Sequence, residues 1–129
     1  MILDTNVLVA AGFNPRSSSA RLIKLSQVGK LVLVWNQATL KETKYIVDQI
    51  PPLNWGVFEG LFNDVGKCND SGDMDSFGFV EDPDDRKFAA LAEAVGCPVV
   101  TNDIHLLAHK KRFGFEVLRP SELLVRLES

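Results

Sequence analysis

The chain has 129 residues, of which 46% are hydrophobic and 24% are charged, and its formal net charge is −3. This size suits one hydrophobic core, so we predict a single domain over residues 1–129. The composition excludes disordered and fibrous proteins, and the acidic balance excludes a broad basic surface for nonspecific nucleic-acid binding. A polyanionic substrate must therefore be held locally.

The sequence also indicates where the protein resides. Its two cysteines, Cys68 and Cys97, form no C-x-x-C pair, which favours a reducing compartment. No apolar stretch approaches the roughly 20 residues that cross a bilayer. The amino terminus shows neither a basic leader nor a cleavage site. We therefore predict a cytoplasmic protein that does not associate with membranes.

In the first half of the chain, short apolar runs alternate with helical patterns. Ile2 and Leu3 predict a very short strand, followed by a helical turn at residues 7–11. A serine-capped helix up to Gly29, a buried strand at residues 31–34 and a helix capped by Asn36 come next. Residues 53–65 carry apolar side chains at three- and four-residue intervals, which predicts a fourth helix.

The second half continues the alternation after a polar segment. Within residues 66–82 the only short strand predicted is at 77–80. Pro83 suits the first turn of a helix that Gly96 ends, and residues 98–101 follow as a buried strand. A short helix from about residue 104, a strand at 115–118 and a helix at 120–127 complete the chain. The pattern predicts an α/β three-layer sandwich, with a central parallel sheet of about four to five strands flanked by helices.

Three aspartates stand where such a sheet binds ligands. Asp4 ends the first strand, Asp103 follows the strand at residues 98–101, and Asp85 lies in the first turn of the preceding helix. Taken singly, Asp85 reads as an ordinary helix-start charge and Asp103 as a helix cap. Asp4 differs, because it interrupts an apolar run where an unpartnered carboxylate is costly to bury.

Convergence of these acids would require a cation. Mutual repulsion raises carboxylate pKa values and destabilises the fold unless a divalent ion compensates the charge. All-oxygen ligation suits Mg²⁺ or Mn²⁺, whereas zinc sites usually recruit Cys or His. One or two such ions polarise a phosphodiester and generate hydroxide from water. The arrangement therefore predicts nuclease chemistry.

Three runs of residues resemble the motifs of a known family. Residues 3–8, Leu-Asp-Thr-Asn-Val-Leu, resemble the opening motif of PIN domains, including the VapC-type toxins. Residues 85–92, an acid opening an alanine-rich helix, resemble the third motif, and residues 100–103, Val-Thr-Asn-Asp, resemble the fourth. Glu42 fits the second acid by position. The likeness spans nearly the whole chain, and the combination and order of the motifs make it specific.

The resemblance implies a Mg²⁺- or Mn²⁺-dependent endoribonuclease that acts on single-stranded RNA. Such proteins are often homodimers and often the toxin of a toxin–antitoxin pair, with an antitoxin protein as partner. The implied metal ligands, or groups that orient metal-bound water, are Asp4, Glu42, Asp85 and Asp103. Asn6 and Thr101 would support these ligands through hydrogen bonds. One departure is His105, which stands where many relatives carry a further acid.

The histidines, the basic run and the acidic loop each allow a structural as well as a functional interpretation. His105 and His109 share the spacing of one helix face, but without a third ligand of the same type we predict exposed histidines. Residues 109–112, His-Lys-Lys-Arg, are the only basic run, and such a run is usually a solvated helix end. A contact of this run with RNA phosphates is a hypothesis. The acidic loop before Pro83 should repel RNA and would suit a basic partner.

Two other functions are compatible with an aspartate at the end of the first strand. A haloacid-dehalogenase-like phosphatase needs a second aspartate two residues after the first, where this chain has Asn6. The stronger alternative is a noncatalytic PIN-like module that keeps the acids but serves by binding protein or RNA. Metal-dependent cleavage separates the nuclease from this module.

Overall fold

A small parallel sheet flanked by helices forms the centre of the computed structural model, which describes residues 1–70 and 72–128. Its strands are β1 (Ile2–Leu3), β2 (Val99–Val100) and β3 (Val117–Leu118), in the spatial order β1-β2-β3. Leu3 pairs with Val100, and Val100 with Leu118. Parallel neighbours need crossover connections, which helices supply here. The predicted α/β class is confirmed.

Seven α-helices surround the sheet in the described residues. They are α1 (Thr5–Phe13), α2 (Ser18–Gln27), α3 (Gln37–Asp48), α4 (Trp55–Phe58), α5 (Arg86–Val95), α6 (Ile104–Ala108) and α7 (Pro120–Glu128). The predicted caps form: Ser17 Oγ accepts a hydrogen bond from Ala20 N, and Asn36 Oδ1 accepts one from Thr39 N. Gly96 ends α5 with a positive φ of 68°, a conformation that favours glycine.

The sheet is smaller than the four to five strands predicted, because residues 31–34 do not form a strand. Their backbone meets the sheet edge at Met1, where Val34 N donates to Met1 O at 2.8 Å and the N-terminal ammonium group of Met1 donates to Val32 O at 3.1 Å. The next residue, Trp35, forms an isolated bridge with Lys67 instead. Since consecutive residues bond to different partners, no regular ladder extends from β1.

Two other predicted elements take a different form. The helix predicted over residues 53–65 is limited to α4 and a 3₁₀ turn, Glu59–Leu61. Gly56 and Gly60 fall inside it, and glycine weakens a helix. The strand predicted at residues 77–80 is wrong as well: a 3₁₀ helix, Met74–Phe77, occupies its start.

The two faces of the sheet pack against different helices. Leu3 and Val100 point to a core that includes side chains of α1, α2, α3 and α7, whereas Ile2 and Val99 point to α5. This alternation follows the two-residue period of strands and produces the three layers that were predicted. The residues just after β1 and β2 therefore lie at one edge of the sheet. No helix in the described part of the chain is long and apolar enough to cross a membrane.

Candidate metal centre

Three carboxylates meet at the carboxyl edge of the sheet. Asp4, Asp85 and Asp103 each place an oxygen within 4.8 Å of the others, and we refer to them as the acid group. Asp4 directly follows β1, and Asp103 lies three residues after β2. Because β1 and β2 are parallel neighbours, their carboxyl ends bring these two acids together. Asp85 reaches the same place from the start of α5.

Asp4 is fixed by side chains that belong to the same sheet edge. The residue is only 3% exposed. Thr101 Oγ1 donates a hydrogen bond to Asp4 Oδ2 at 2.8 Å, and Asn6 Nδ2 donates to the same oxygen at 3.3 Å. Thr101 Oγ1 also accepts a hydrogen bond from Asp103 N at 2.9 Å. One buried hydroxyl therefore sets the positions of two members of the acid group.

Asn6 and Asn102 tie the loop after β2 to the first two helices. Asn6 Oδ1 accepts a hydrogen bond from Asn102 N at 3.0 Å, and Asn102 Nδ2 donates to Ser19 Oγ at 3.2 Å. Sequence reasoning assigned no role to Asn102 or Ser19. Asn102 lies within the run Val-Thr-Asn-Asp that carried the family resemblance, whereas nothing in the sequence indicated Ser19.

Asp85 and Asp103 differ in how they relate to their helices. Asp85 precedes α5 and makes no side-chain capping bond there, so helix capping does not occupy its carboxylate. Asp103 does cap α6, because its Oδ1 accepts a hydrogen bond from His105 N at 2.8 Å. Asp103 is therefore both the helix cap that the sequence predicts and a member of the acid group.

The electrostatics of the acid group favour a positive ligand. Burial, followed by the neighbouring negative charges of Asp4, Asp82 and Asp103, raises the pKa of Asp85 to about 8. Burial is also the main cause that raises the pKa of Asp4 to about 6. Within residues 1–70 and 72–128, no Lys, Arg or His forms a salt bridge with any of the three carboxylates.

Asp82 is a neighbour of the acid group that sequence reasoning left in the acidic loop. Its charge contributes to the raised pKa of both Asp4 and Asp85. It lines a cavity of about 150 Å³ together with Asp85, Asp103, His105 and His109. The signal available in the sequence was its place as a cap ahead of Pro83, where its carboxylate accepts a hydrogen bond from Asp84 N.

Glu42, the fourth acid of the predicted set, lies outside the acid group. Its Oε2 accepts a hydrogen bond from Lys87 Nζ at 3.0 Å, and its side chain is 12% exposed. The same ammonium group lies 3.7 Å from Asp84. The charge of Glu42 is thus compensated within the chain, and its assignment as a metal ligand stays a prediction.

The comparison with protein families agrees with the motifs and the fold. The model of the PIN domain matches residues 1–105. The chain belongs to the PIN domain family. Its fold is similar to that of a chain in the crystal structure of VapBC2 from Rickettsia felis bound to a DNA fragment from their promoter. The TM-score is 0.60 at 19% identity, and the match covers 92% of this PIN domain and 96% of that chain. No curated protein matches the sequence.

Proposed function

We propose that this PIN domain is a metal-dependent endoribonuclease that hydrolyses phosphodiester bonds of single-stranded RNA. The observation that supports it is the convergence of Asp4, Asp85 and Asp103 within 4.8 Å, without a cationic side chain to pair with them in the described residues. Like charges held this close are unfavourable unless a cation or protons compensate them. Family membership makes nuclease activity the natural use of such a site.

The donor set fits Mg²⁺ or Mn²⁺. The acid group offers only carboxylate oxygens, which these hard cations prefer. Asp4, Asp85 and Asp103 would hold the ion. A bound divalent cation supplies Lewis acidity toward a phosphodiester and makes water a stronger acid.

The protein's own contribution is to fix the positions of the ligands. Thr101 and Asn6 hold Asp4 by hydrogen bonds, and the backbone N–H of Asp103 is bound to Thr101 Oγ1. Hydrogen-bonded supports of this kind keep ligands oriented before the ion binds. The recessed cavity of about 150 Å³ favours a flexible single strand, which can bend a phosphodiester inward, over a stiff duplex.

We further propose that the protein is the toxin of a toxin–antitoxin pair in the cytoplasm. The support is its similarity in fold to a chain of the VapBC2 complex, over nearly the full length of both chains. On this proposal an antitoxin protein is its partner, and the toxin itself is a homodimer.

The test is cleavage of a labelled single-stranded RNA by the purified protein with and without Mn²⁺. We expect cleavage that depends on Mn²⁺ and falls by about 100-fold or more in Asp85→Asn, since even supports of metal ligands are worth about 10- to 100-fold. Asp84→Asn is the matched control, because Asp84 is exposed, adjacent and outside the acid group. It should cut at the wild-type rate.

Two outcomes would overturn the nuclease proposal. One is equal cleavage by wild type and Asp85→Asn, which would place the activity elsewhere or in a contaminant. The other is Mn²⁺ binding without cleavage of any single-stranded RNA, which would favour the noncatalytic module.

A further inference from the structure

A rim of aromatic and basic side chains borders the cavity of the acid group. His109 lines that cavity, and its ring meets Phe79 edge-on with the centroids 5.8 Å apart. The guanidinium carbon of Arg112 lies 3.8 Å from the centre of the Phe79 ring. Phe79 thus connects a cavity-lining histidine to an exposed arginine, and we call these three residues the cavity rim.

Arg112 is oriented by this stacking but keeps its donors available. Stacking on an aromatic face uses the plane of the guanidinium and leaves its N–H groups pointing outward along the edges. Across the described ranges, 1–70 and 72–128, no side-chain hydrogen bond or salt bridge of Arg112 is found. Its position follows from the backbone, since Arg112 N donates to His109 O at 2.8 Å. A fixed guanidinium with free edges suits a phosphate, which it binds through two N–H groups.

Phe79 is itself held in place from the side of the acid group. Arg86 Nε donates to Val80 O at 3.0 Å, and Arg86 Nη2 donates to Gly78 O at 3.2 Å. These two carbonyls flank Phe79, and Arg86 directly follows Asp85 in the chain. The cavity rim is therefore anchored to the first residue of α5, next to one carboxylate of the acid group.

Charge complementarity indicates the class of ligand. The whole chain carries a net charge of −3, and the cavity is itself acidic, because Glu81, Asp82, Asp85 and Asp103 line it. A polyanion needs a local positive contact to approach such a cavity. Arg112 ends the basic run at residues 109–112, which places positive charge beside the cavity.

We propose that Arg112, stacked on Phe79 and next to His109, binds a backbone phosphate of the single-stranded RNA substrate beside the phosphodiester that is cut. This inference rests on the proposed nuclease function and adds the residue that holds the substrate. Arg112 is a substrate-binding residue here, and Phe79 positions its guanidinium. RNA binding and metal binding are thus assigned to different side chains.

The test measures the affinity for a labelled single-stranded oligoribonucleotide in EDTA. Fluorescence anisotropy monitors binding at a series of salt concentrations. The chelator prevents metal-dependent cleavage, so the result does not depend on whether the nuclease proposal holds. We expect Arg112→Ala to weaken binding about tenfold and to reduce the salt dependence by the equivalent of about one phosphate contact. Arg112→Lys and Phe79→Leu should give smaller losses, because each disturbs the stacking and keeps the charge.

Arg16→Ala is the matched control. Arg16 is also exposed, but it follows α1 at the end away from Asp4. Removing its charge should change RNA affinity by less than about twofold. Mn²⁺ affinity, measured by calorimetry, should be the same in Arg112→Ala and wild type.

The proposal is overturned if Arg112→Ala and Arg16→Ala weaken binding equally, since the effect would then be one of net charge. It is also overturned if Arg112→Ala binds RNA with the wild-type affinity and salt dependence. Preference for duplex RNA over the single strand, lost in Arg112→Ala, would replace the proposed ligand by a duplex. A wild type that binds RNA through Arg112 but never cuts it would refute the nuclease proposal alone.

Discussion

Two acids with low solvent exposure, the half-buried Glu42 and the buried Asp4, have their negative charges compensated in different ways. Glu42 is compensated by Lys87, whose ammonium group lies 3.0 Å from its carboxylate. Asp4, which is more deeply buried, faces other carboxylates and is joined by hydroxyl and amide donors instead of a cation. Both acids are inside a fold in which a free charge is costly.

The difference indicates which acid is available to bind a cation. The negative charge of a paired acid such as Glu42 is already balanced by a cationic side chain, so the acid needs no bound ion. The negative charge of the acid group is not balanced in this way. Burial and mutual repulsion raise the pKa values of Asp4 and Asp85, and a bound cation would offset both effects. We therefore expect different effects from removing one negative charge at Glu42 and at a member of the acid group.

The largest predicted effect is on metal affinity. Asp4→Asn should weaken Mn²⁺ binding by about 100-fold or more, whereas Glu42→Gln should change it by less than about threefold. The reason is that Lys87 already neutralises Glu42. Isothermal titration calorimetry on both variants measures the two constants directly.

A loss of Mn²⁺ affinity in Glu42→Gln as large as that in Asp4→Asn would contradict this difference between the two acids. It would mean that Glu42 leaves Lys87 when the ion binds and joins the ligands, as the family resemblance implied. Circular dichroism of each variant shows whether the fold is retained, so that a lost site is not confused with a lost structure.

The second prediction concerns the pH dependence of stability in the metal-free protein. The pKa values of Asp4 and Asp85 are about 6 and 8 in the folded protein, against 3.8 for an unperturbed aspartate. Between about pH 4 and pH 8 the folded state therefore binds more protons than the unfolded state. Its free energy of unfolding must therefore fall as the pH rises. The raised pKa of Asp4 accounts for about 3 kcal/mol of this fall, and the half-exposed Asp85 adds a further loss that solvent screening reduces.

Urea denaturation at several pH values measures this fall. Asp85→Asn should flatten the profile and make the metal-free protein more stable than wild type at pH 8, while Asp84→Asn should leave the profile unchanged. Excess Mn²⁺ should restore stability at high pH, because an ion that binds only the folded state stabilises it. A wild-type profile that rises from pH 4 to pH 8 would contradict the assigned electrostatics.

Much of the fold could be predicted from the sequence, because helix caps, helix ends and apolar patterns are properties of neighbouring residues. Strand β1 is short but is followed directly by an acid. Helix α5 is preceded by a proline, carries an apolar stripe and is followed by a glycine. Residues 31–34 look like a strand by composition, yet the lack of a continuous hydrogen-bonding partner prevents one. Strand formation depends on distant pairing, which composition alone does not specify.

The site was predictable to the extent that backbone topology determines it. Parallel pairing of β1 with β2 brings Asp4 and Asp103 together, so strand order was enough to suggest their meeting. The contact between Glu42 and Lys87, which are 45 residues apart, depends on how α3 and α5 pack. The approach of Asp82 depends on an irregular loop. Neither packing nor loop course follows from periodicity.

The smallest predicted effect distinguishes a supporting hydroxyl from a merely buried one. Thr101→Val keeps the shape of the side chain but removes the donor to Asp4 and the acceptor for Asp103 N. We expect Mn²⁺ affinity to fall about tenfold, the lower end for supports of metal ligands.

Thr43→Val is the matched control for this change. Thr43 is equally buried, and its hydroxyl bonds to that of Thr5 and not to a carboxylate of the acid group in the described residues. Both variants should lose stability by about 1 kcal/mol, because each leaves a polar partner unsatisfied. Only Thr101→Val should also lose Mn²⁺ affinity, because only its hydroxyl orients members of the acid group. Equal Mn²⁺ affinities in the two variants would mean that Asp4 and Asp103 keep their positions without Thr101, and that the backbone of the two parallel strands alone aligns the site.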